Sequence, residues 1–346
     1  MNPIIWTILI STISTSTIIT MSSYHWLLAW LGLELNTLSI LPIIMKPKHP
    51  RATEATTKYF LIQTTAAALI LFASTLNAWK TGHWNILFSP STMANTILLS
   101  AILLKLGIAP AHLWYPDIIQ GSNMLTALTI STWQKLAPLT LLYLTIQQMS
   151  TPTMLLASLL SVLVGGWAGL NQTQTRKIMA FSSIAHMGWL TAALVLNPHL
   201  ATLTLITYML MTTATFLSMA STTTKTMQDL GTTWSQSPTL ATMTIFALLS
   251  LGGLPPLTGF MPKLLILKEL VLTKLILTST MMALMSLPSL YFYTRMVYFT
   301  ILTTPPNTTC TKHTWRFTNN KNTNPTLIMN LAVLLLPILP LMHMTT

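Results

Sequence analysis

Apolar runs of roughly 20 residues recur from one end of the chain to the other, separated by short polar segments. A helix needs about 20 apolar residues to cross a bilayer, and unpaired backbone groups exclude open sheets from the lipid. The pattern therefore predicts an all-α polytopic membrane protein with about eleven transmembrane helices. The predicted spans are 3–21, 24–45, 56–78, 94–117, 124–147, 152–171, 177–196, 200–221, 239–270, 275–302 and 325–344.

The fourth and ninth spans share the frame LLxLGxxP, in LLKLGIAPAHLWYPD and LLSLGGLPPLTGFMPK. Proline removes a backbone donor, so we predict helix breaks at Pro110 and at Pro255 and Pro256. An odd offset of five spans inverts the second unit relative to the first, and inverted repeats with broken helices mark many transporters. The predicted organisation is a single antiporter-like domain, with a first half (1–148), an inverted second half (149–302), a polar linker (303–324) and a terminal helix (325–346).

The composition agrees, since 52% of the residues are hydrophobic and only 6% are charged, against about 25% charged in soluble domains. The net charge of +12 comes from single basic residues at helix ends and in short loops, which argues against nucleic-acid binding. Basic residues follow spans two, six, eight and ten, on the face of the amino terminus. The positive-inside rule makes that face the cytoplasm or the mitochondrial matrix, and the carboxyl terminus lies opposite.

The chain has one cysteine, Cys310, and no CxxC, His/Cys cluster or GxGxxG. We therefore expect no internal disulfide, metal site, heme, iron–sulfur cluster or nicotinamide site in this chain. No cleavable presequence is expected before the first apolar run.

Ionisable residues inside the apolar spans are the candidate functional groups. Glu34, Lys105 and Lys135 each lie about 15 Å from a span end, and Lys263 follows the second break. A lysine at a helix centre costs about 2.5–3.5 kcal/mol on insertion scales, which favours a functional role. Burial favours the neutral form of a lysine and a nearby carboxylate favours the charged form, so these groups could carry protons.

Simpler interpretations stay open for several of these residues. Glu34 and Lys105 could form a static buried ion pair, although that would not account for Lys135 and Lys263. Two histidines can each be interpreted either as a hydrogen-bonded interior residue or as a proton relay. They are His186, central in span seven, and His112, just past Pro110. The breaks either admit water to the charges or are packing kinks.

The stretches MNPIIW, GLELNTLSILPI around Glu34, KLGIAPAHLWYPD, STWQKLAPL around Lys135, SSIAHMGW and LSLGGLPPLTGFMPK carry a family resemblance. Over its whole length the chain resembles NADH–ubiquinone oxidoreductase chain 2, a family of antiporter-like membrane subunits of mitochondrial respiratory complex I. The resemblance implies an inverted five-helix repeat with central broken helices, similar to cation/proton antiporter subunits. The resemblance implies that the chain is a core membrane subunit of the proton-pumping NADH:ubiquinone oxidoreductase.

The resemblance also implies roles for individual residues. Glu34 and Lys105 would be the paired glutamate and lysine of the first half-channel, Lys135 the connecting lysine, and Lys263 the lysine nearest the exit. The protein would lie in the mitochondrial inner membrane, with its amino terminus in the matrix and its carboxyl terminus in the intermembrane space. Flavin, iron–sulfur clusters and ubiquinone would belong to other subunits. The partners would be membrane lipids and other complex I membrane subunits, including neighbouring antiporter-like chains, and one flank would need covering where longer relatives carry three more helices.

Two other classes of function remain alternatives. One is a stand-alone cation/proton antiporter, which would transport after reconstitution by itself. The other is a passive membrane scaffold, in which charge-removing substitutions would harm assembly but leave the proton stoichiometry unchanged.

Overall fold

A computed structural model of the protein describes residues 3–89, 91–302 and 326–334, without the side chains of residues 235, 236, 302 and 334. Within these ranges the chain is helical, apart from turns and two isolated backbone bridges. Seven of the described helices are long and apolar enough to cross a membrane. The predicted linker at 303–324, which includes Cys310, and the part of the predicted last span beyond residue 334 lie outside the described residues.

The helices form two compact units, Met1–Ala157 and Ser158–Thr346. In the first unit, α3 packs against α2, α4 and α5, while α7 packs against α1 and α4. Its elements are α1 (Pro3–Ser22), α2 (Trp26–Ile44), α3 (Pro50–Thr81), α4 (Thr92–Leu106), α5 (Trp114–Gly121), α6 (Met124–Ser131), the 3-10 turn η1 (Trp133–Lys135), α7 (Leu136–Thr145) and the 3-10 turn η2 (Ile146–Gln148).

The second unit is built around α9, which is buried along almost its whole length. Helix α8 runs from the first unit into the second, and a Cβ added at Gly165 would lie 2.6 Å from the amide nitrogen of Ala185 on α9. Only glycine permits so close an approach of two helices. The elements of this part are α8 (Thr151–Gly169), α9 (Thr175–Leu196), α10 (Pro198–Thr222), α11 (Met227–Gly231), α12 (Thr233–Gln236), α13 (Pro238–Gly252), α14 (Phe260–Leu272), α15 (Ile276–Leu302) and α16 (Thr326–Leu334).

Serine and threonine are tolerated inside these apolar helices because their hydroxyls donate to their own helix backbone. Thr204 donates to the carbonyl of Ala201 at 2.8 Å, and Ser183 donates to Ala180 at 2.8 Å. The same three-residue pattern recurs in helices of both units. Each hydroxyl donor is therefore satisfied without a neighbouring helix or water.

Both predicted breaks are present, but each begins at a glycine before the proline. Helix α4 ends where Gly107 adopts φ +69°, and α13 ends where Gly253 adopts φ +81°. Left-handed glycine is a common helix end because it carries no Cβ. The shared frame aligns Gly107 with Gly252, yet the second helix runs one residue further before it ends.

The fifth predicted span contains an interruption that the sequence analysis did not predict. Residues 124–147 were expected to form one helix, but α6 ends at Ser131 and the 3-10 turn η1 precedes α7. Pro138 has no N–H to donate to the carbonyl of Gln134, so a regular helix loses a hydrogen bond there. Lys135 is the last residue of η1 and therefore lies at a break.

Candidate functional site

The first unit contains a partly open cavity, walled by α2, α3, α4, α5, α6, η1 and α7. A polar cavity of this kind is large enough to hold at least one water molecule. Its lining combines apolar side chains with lysines, amides, tyrosines and a threonine. These polar residues are Asn36, Thr37, Tyr59, Gln63, Lys105, Tyr115, Gln134 and Lys135.

Lys105 reaches this cavity from the last turn of α4. Its side chain is only 6% exposed, and among the described residues no acceptor lies within hydrogen-bonding distance of its Nζ. The carbonyl of Lys105 accepts a hydrogen bond of 3.4 Å from Nε2 of Gln63. Burying a charged ammonium costs free energy unless it is hydrated or paired. We therefore expect water in the cavity to hydrogen-bond to Nζ of Lys105.

Glu34 lies on α2 beside the cavity but is not among the residues that line it. Thr37, one turn later, donates to Glu34 Oε2 at 3.2 Å and does line the cavity. Among the described residues, the Lys105 ammonium and the Glu34 carboxylate form no direct ion pair, since their nitrogen and oxygen atoms lie more than 4.0 Å apart. Any coupling between the two charges therefore acts across space or through intervening water.

Lys135 is 4% exposed and lies in the wall of the same cavity as Lys105. Its Nζ lies 4.9 Å from the ring centroid of Tyr115, over the ring face. An ammonium above an aromatic face is stabilised by the ring quadrupole, by about 2 kcal/mol or more where water is excluded. The fold thus brings together two of the lysines that the sequence analysis singled out, from α4 and from η1.

The second unit has its own partly open cavity. Lys263 and His186 both line it, and the His186 ring lies 5.7 Å from the ring of Tyr208. Lys263, on α14, also donates from Nζ to the carbonyl of Gly252 at 3.0 Å. That carbonyl belongs to the end of α13, where the helix dipole favours a positive charge.

His112 and the three prolines predicted at the breaks are not brought into either cavity. The Nδ1 of His112 donates to the carbonyl of Pro110 at 3.2 Å, and the residue does not line the first cavity. Pro255 and Pro256 are exposed and do not line the second. Two other prolines do line the cavities, Pro138 in the first and Pro262 in the second.

Sequence reasoning missed the neutral polar residues of the first cavity. Asn36 follows Glu34 by two residues, and Gln134 directly precedes Lys135. Gln63 interrupts the apolar sequence of the third span, directly before Thr64 and Thr65. Amides are rare in membrane spans for the same reason as charges, so each of these positions was a detectable signal.

Lys58 lies near the start of α3 and forms an ion-pair cluster outside the cavity. Its Nζ lies 2.7 Å from Glu54 Oε1 and 2.9 Å from Asp117 Oδ2 on α5. These side chains are between 40% and 61% exposed, so the cluster faces outward. It ties the short helix α5, which carries Tyr115, to α3.

Over the described ranges, no group of three or more His, Cys, Asp or Glu side chains is arranged to hold a metal ion.

Comparison with known proteins decides the family. Residues 23–289 match the family described as NADH:quinone oxidoreductase/Mrp antiporter, TM, and residues 290–343 match NADH dehydrogenase subunit 2 C-terminus. The chain is 52% identical over 341 residues to NADH-ubiquinone oxidoreductase chain 2 of Carassius auratus, covering 98% of each chain. It belongs to the NADH-ubiquinone oxidoreductase chain 2 family.

The chain 2 protein of Xenopus laevis is another relative, 46% identical with 99% of each chain covered. Among solved structures, a chain of respiratory complex I from Thermus thermophilus with bound Aureothin superposes with a TM-score of 0.83 at 26% identity. The match covers 96% of this chain and 78% of that chain. The protein is thus a multi-pass membrane subunit of NADH:ubiquinone oxidoreductase with the antiporter-like fold of complex I, which confirms the predicted family and function.

Proposed function

We propose that this subunit conducts protons through its two cavities, with buried lysines as the groups that take up and release them. The observation that carries the proposal is that Lys105 and Lys135, each almost fully buried, line one cavity large enough for water. Two ammonium groups facing one small space repel each other, so a proton on one disfavours a proton on the other. Such coupling allows a proton to pass between them through water.

The other ionisable residues have supporting roles in this proposal. Glu34 lies beside the cavity, where its carboxylate accepts from the cavity-lining Thr37, and an anionic carboxylate there favours the charged form of Lys105 across space. In the second unit Lys263 carries the proton, and His186, which lines the same cavity, exchanges it with water. Each charge moved against the membrane potential costs about 2.3 kcal/mol per 100 mV, so hydration must be gated.

The proposed topology has eleven spans arranged as an inverted five-helix repeat and a terminal helix. It is supported by one broken helix in each unit, each ending at a left-handed glycine. In this topology the amino terminus lies in the mitochondrial matrix and the carboxyl terminus in the intermembrane space, which the distribution of basic loops supports. Neighbouring antiporter-like subunits and lipids are the proposed partners, and flavin, iron–sulfur clusters and ubiquinone belong to other subunits.

The test is to replace Lys105 and Lys135 with Met, separately, in the full chain within the assembled oxidoreductase. Each variant should lower the coupled NADH oxidation rate and the proton uptake into sealed vesicles at least tenfold, at normal complex content. Lys58→Met is the matched control, because Lys58 lies outside both cavities and its side chain is 40% exposed. Proton pumping at the control rate in both cavity variants would overturn the proposal.

The hydrogen bond from Lys263 to Gly252 favours a second, structural function for that lysine alone. If Lys263 is only a helix cap, Lys263→Arg should restore pumping and Lys263→Met should lower complex content. If Lys263 carries protons, Lys263→Met should lower pumping at normal content, and arginine, which does not deprotonate, should not rescue it.

A further inference from the structure

One side chain in the first cavity links three elements of the fold. Nε2 of Gln134, in η1, donates to Oδ1 of Asn36 on α2 at 3.0 Å. Oε1 of the same amide accepts from the hydroxyl of Tyr59 on α3 at 3.5 Å. Asn36 is 3% exposed and Tyr59 is 2% exposed, so these partners are cut off from bulk water.

Both ends of the Gln134 amide are used, one as donor and one as acceptor. Glutamine is suited to this place because an uncharged amide offers both functions without adding a charge beside two lysines. A leucine of similar length would leave the oxygen of Asn36 and the hydroxyl of Tyr59 without this partner. Unsatisfied polar groups at buried sites are costly, so η1 would shift or extra water would enter.

Gln134 directly precedes Lys135 within the three residues of η1. The amide therefore fixes this turn to α2 and α3 from the cavity side. Lys135, from the next position, reaches the face of the Tyr115 ring. A short 3-10 turn between two helices has few internal hydrogen bonds, so its position depends on such side-chain ties.

We infer that Gln134 is a positioning residue for proton transfer, which holds the turn η1 so that Lys135 faces the cavity it shares with Lys105. This inference rests on the proposed function of the two lysines. Gln134 itself takes up no proton; it sets the separation over which water must connect the lysines.

The test uses Gln134→Leu, Gln134→Glu and Gln147→Leu in the full chain of the assembled oxidoreductase. Gln147 is an exposed glutamine near the end of the same predicted span, outside the cavity, so it controls for loss of an amide. Gln134→Leu should lower proton pumping about two- to tenfold at normal complex content, while Gln147→Leu should not.

Gln134→Glu retains an acceptor for Tyr59 but places a carboxylate beside Lys135, which favours the charged ammonium. It should move the alkaline limb of the pH–rate profile to higher pH, which reports that the side chain at position 134 acts on the charge of Lys135 in the assembled enzyme. An unshifted profile together with normal pumping in Gln134→Leu would overturn the inference. If Gln134→Leu lowers complex content, the profile of Gln134→Glu alone decides.

The lysine variants separate this inference from the proposed function. Normal pumping in Lys105→Met and Lys135→Met would overturn both. Impaired lysine variants with unaffected Gln134 variants would leave the proton path standing and remove only the positioning role.

Discussion

Lys263 and Gly252 are joined across the second helix break, with Nζ of the lysine donating to the glycine carbonyl at 3.0 Å. The lysine approaches this carbonyl over Gly253, where an added Cβ would lie 2.9 Å from Nζ and 3.1 Å from Cδ. A cation therefore caps the end of α13 only because the next residue has no side chain.

Gly253→Ala should displace Lys263 and strain the backbone. Gly253 has φ +81°, a conformation that costs an L residue about 1–2 kcal/mol. We expect a lower temperature of half-inactivation for the assembled oxidoreductase and reduced pumping. Gly252→Ala is the matched control, because its Cβ would meet only Tyr293 at 3.8 Å. Equal losses in the two variants would contradict this account.

Lys58→Met should have little effect on stability. Although Lys58 contacts both Glu54 and Asp117, the three side chains are between 40% and 61% exposed, and ion pairs at exposed sites contribute little to stability. The temperature of half-inactivation should remain within a few degrees of the unmodified enzyme, and the small difference should vanish at high salt. A large, salt-insensitive loss would mean that the cluster is shielded in the assembled complex.

His25 caps the first turn of α2, since its Nδ1 accepts a hydrogen bond of 3.2 Å from the amide of Leu27. Its ring also stacks on Trp84, with centroids 5.8 Å apart. His25→Phe keeps an aromatic ring but removes the acceptor, so we expect a loss of about 0.5–2 kcal/mol. His25→Asn should retain most of the cap. Hydrogen exchange of the Leu27 amide, followed on a peptide spanning it, should speed up only in the Phe variant.

Asp229 should make the loop helix α11 sensitive to acid. Its carboxylate accepts from the backbone amides of Thr226 at 2.8 Å and Lys225 at 3.0 Å. These two hydrogen bonds, chiefly the one from Thr226, lower the pKa of Asp229 below its ordinary value. Because the pKa of Asp229 is lower in the folded state than in the unfolded state, the stabilisation is fully present above the unfolded-state pKa. It is lost as the pH falls through the folded-state pKa.

We therefore expect the amides of α11 to lose protection as the pH falls below about 4, where protection is the measured exchange rate compared with the intrinsic rate of the unfolded peptide at the same pH. Asp229→Asn should show lower protection at neutral pH and lose that dependence. Exchange in Asp229→Asn that matches the wild type at neutral pH would argue against the capping role.

Much of the fold was predictable from the spacing of apolar residues, because a bilayer fixes the length of a helix. Helices α1 and α9 coincide closely with predicted spans. Proline was a weaker guide: Pro42 and Pro288 lie inside continuous helices, whereas the span containing Pro138 is interrupted at η1. Whether a proline breaks a helix depends on what satisfies the freed carbonyl, and that is a property of the packed structure.

The charged residues of the candidate site were predictable from the sequence, but the tyrosines that line its cavity were not. Lys105 and Lys135 stand out because charge is rare in this chain, and the fold places them in one cavity. Tyr59 and Tyr115 could not be recognised, since tyrosines also occur at membrane interfaces and in packed cores. Their role depends on which helices pack together, which a single sequence does not specify.

The self-satisfied hydroxyls along these helices affect how the chain enters a membrane. Each of these hydroxyls donates to a carbonyl in the preceding helical turn. A nascent segment such as α10 therefore presents fewer unsatisfied polar groups to the insertion machinery than its threonine content suggests. Threonine-rich segments of this kind should partition into lipid during synthesis more readily than transfer scales built from isolated residues would forecast.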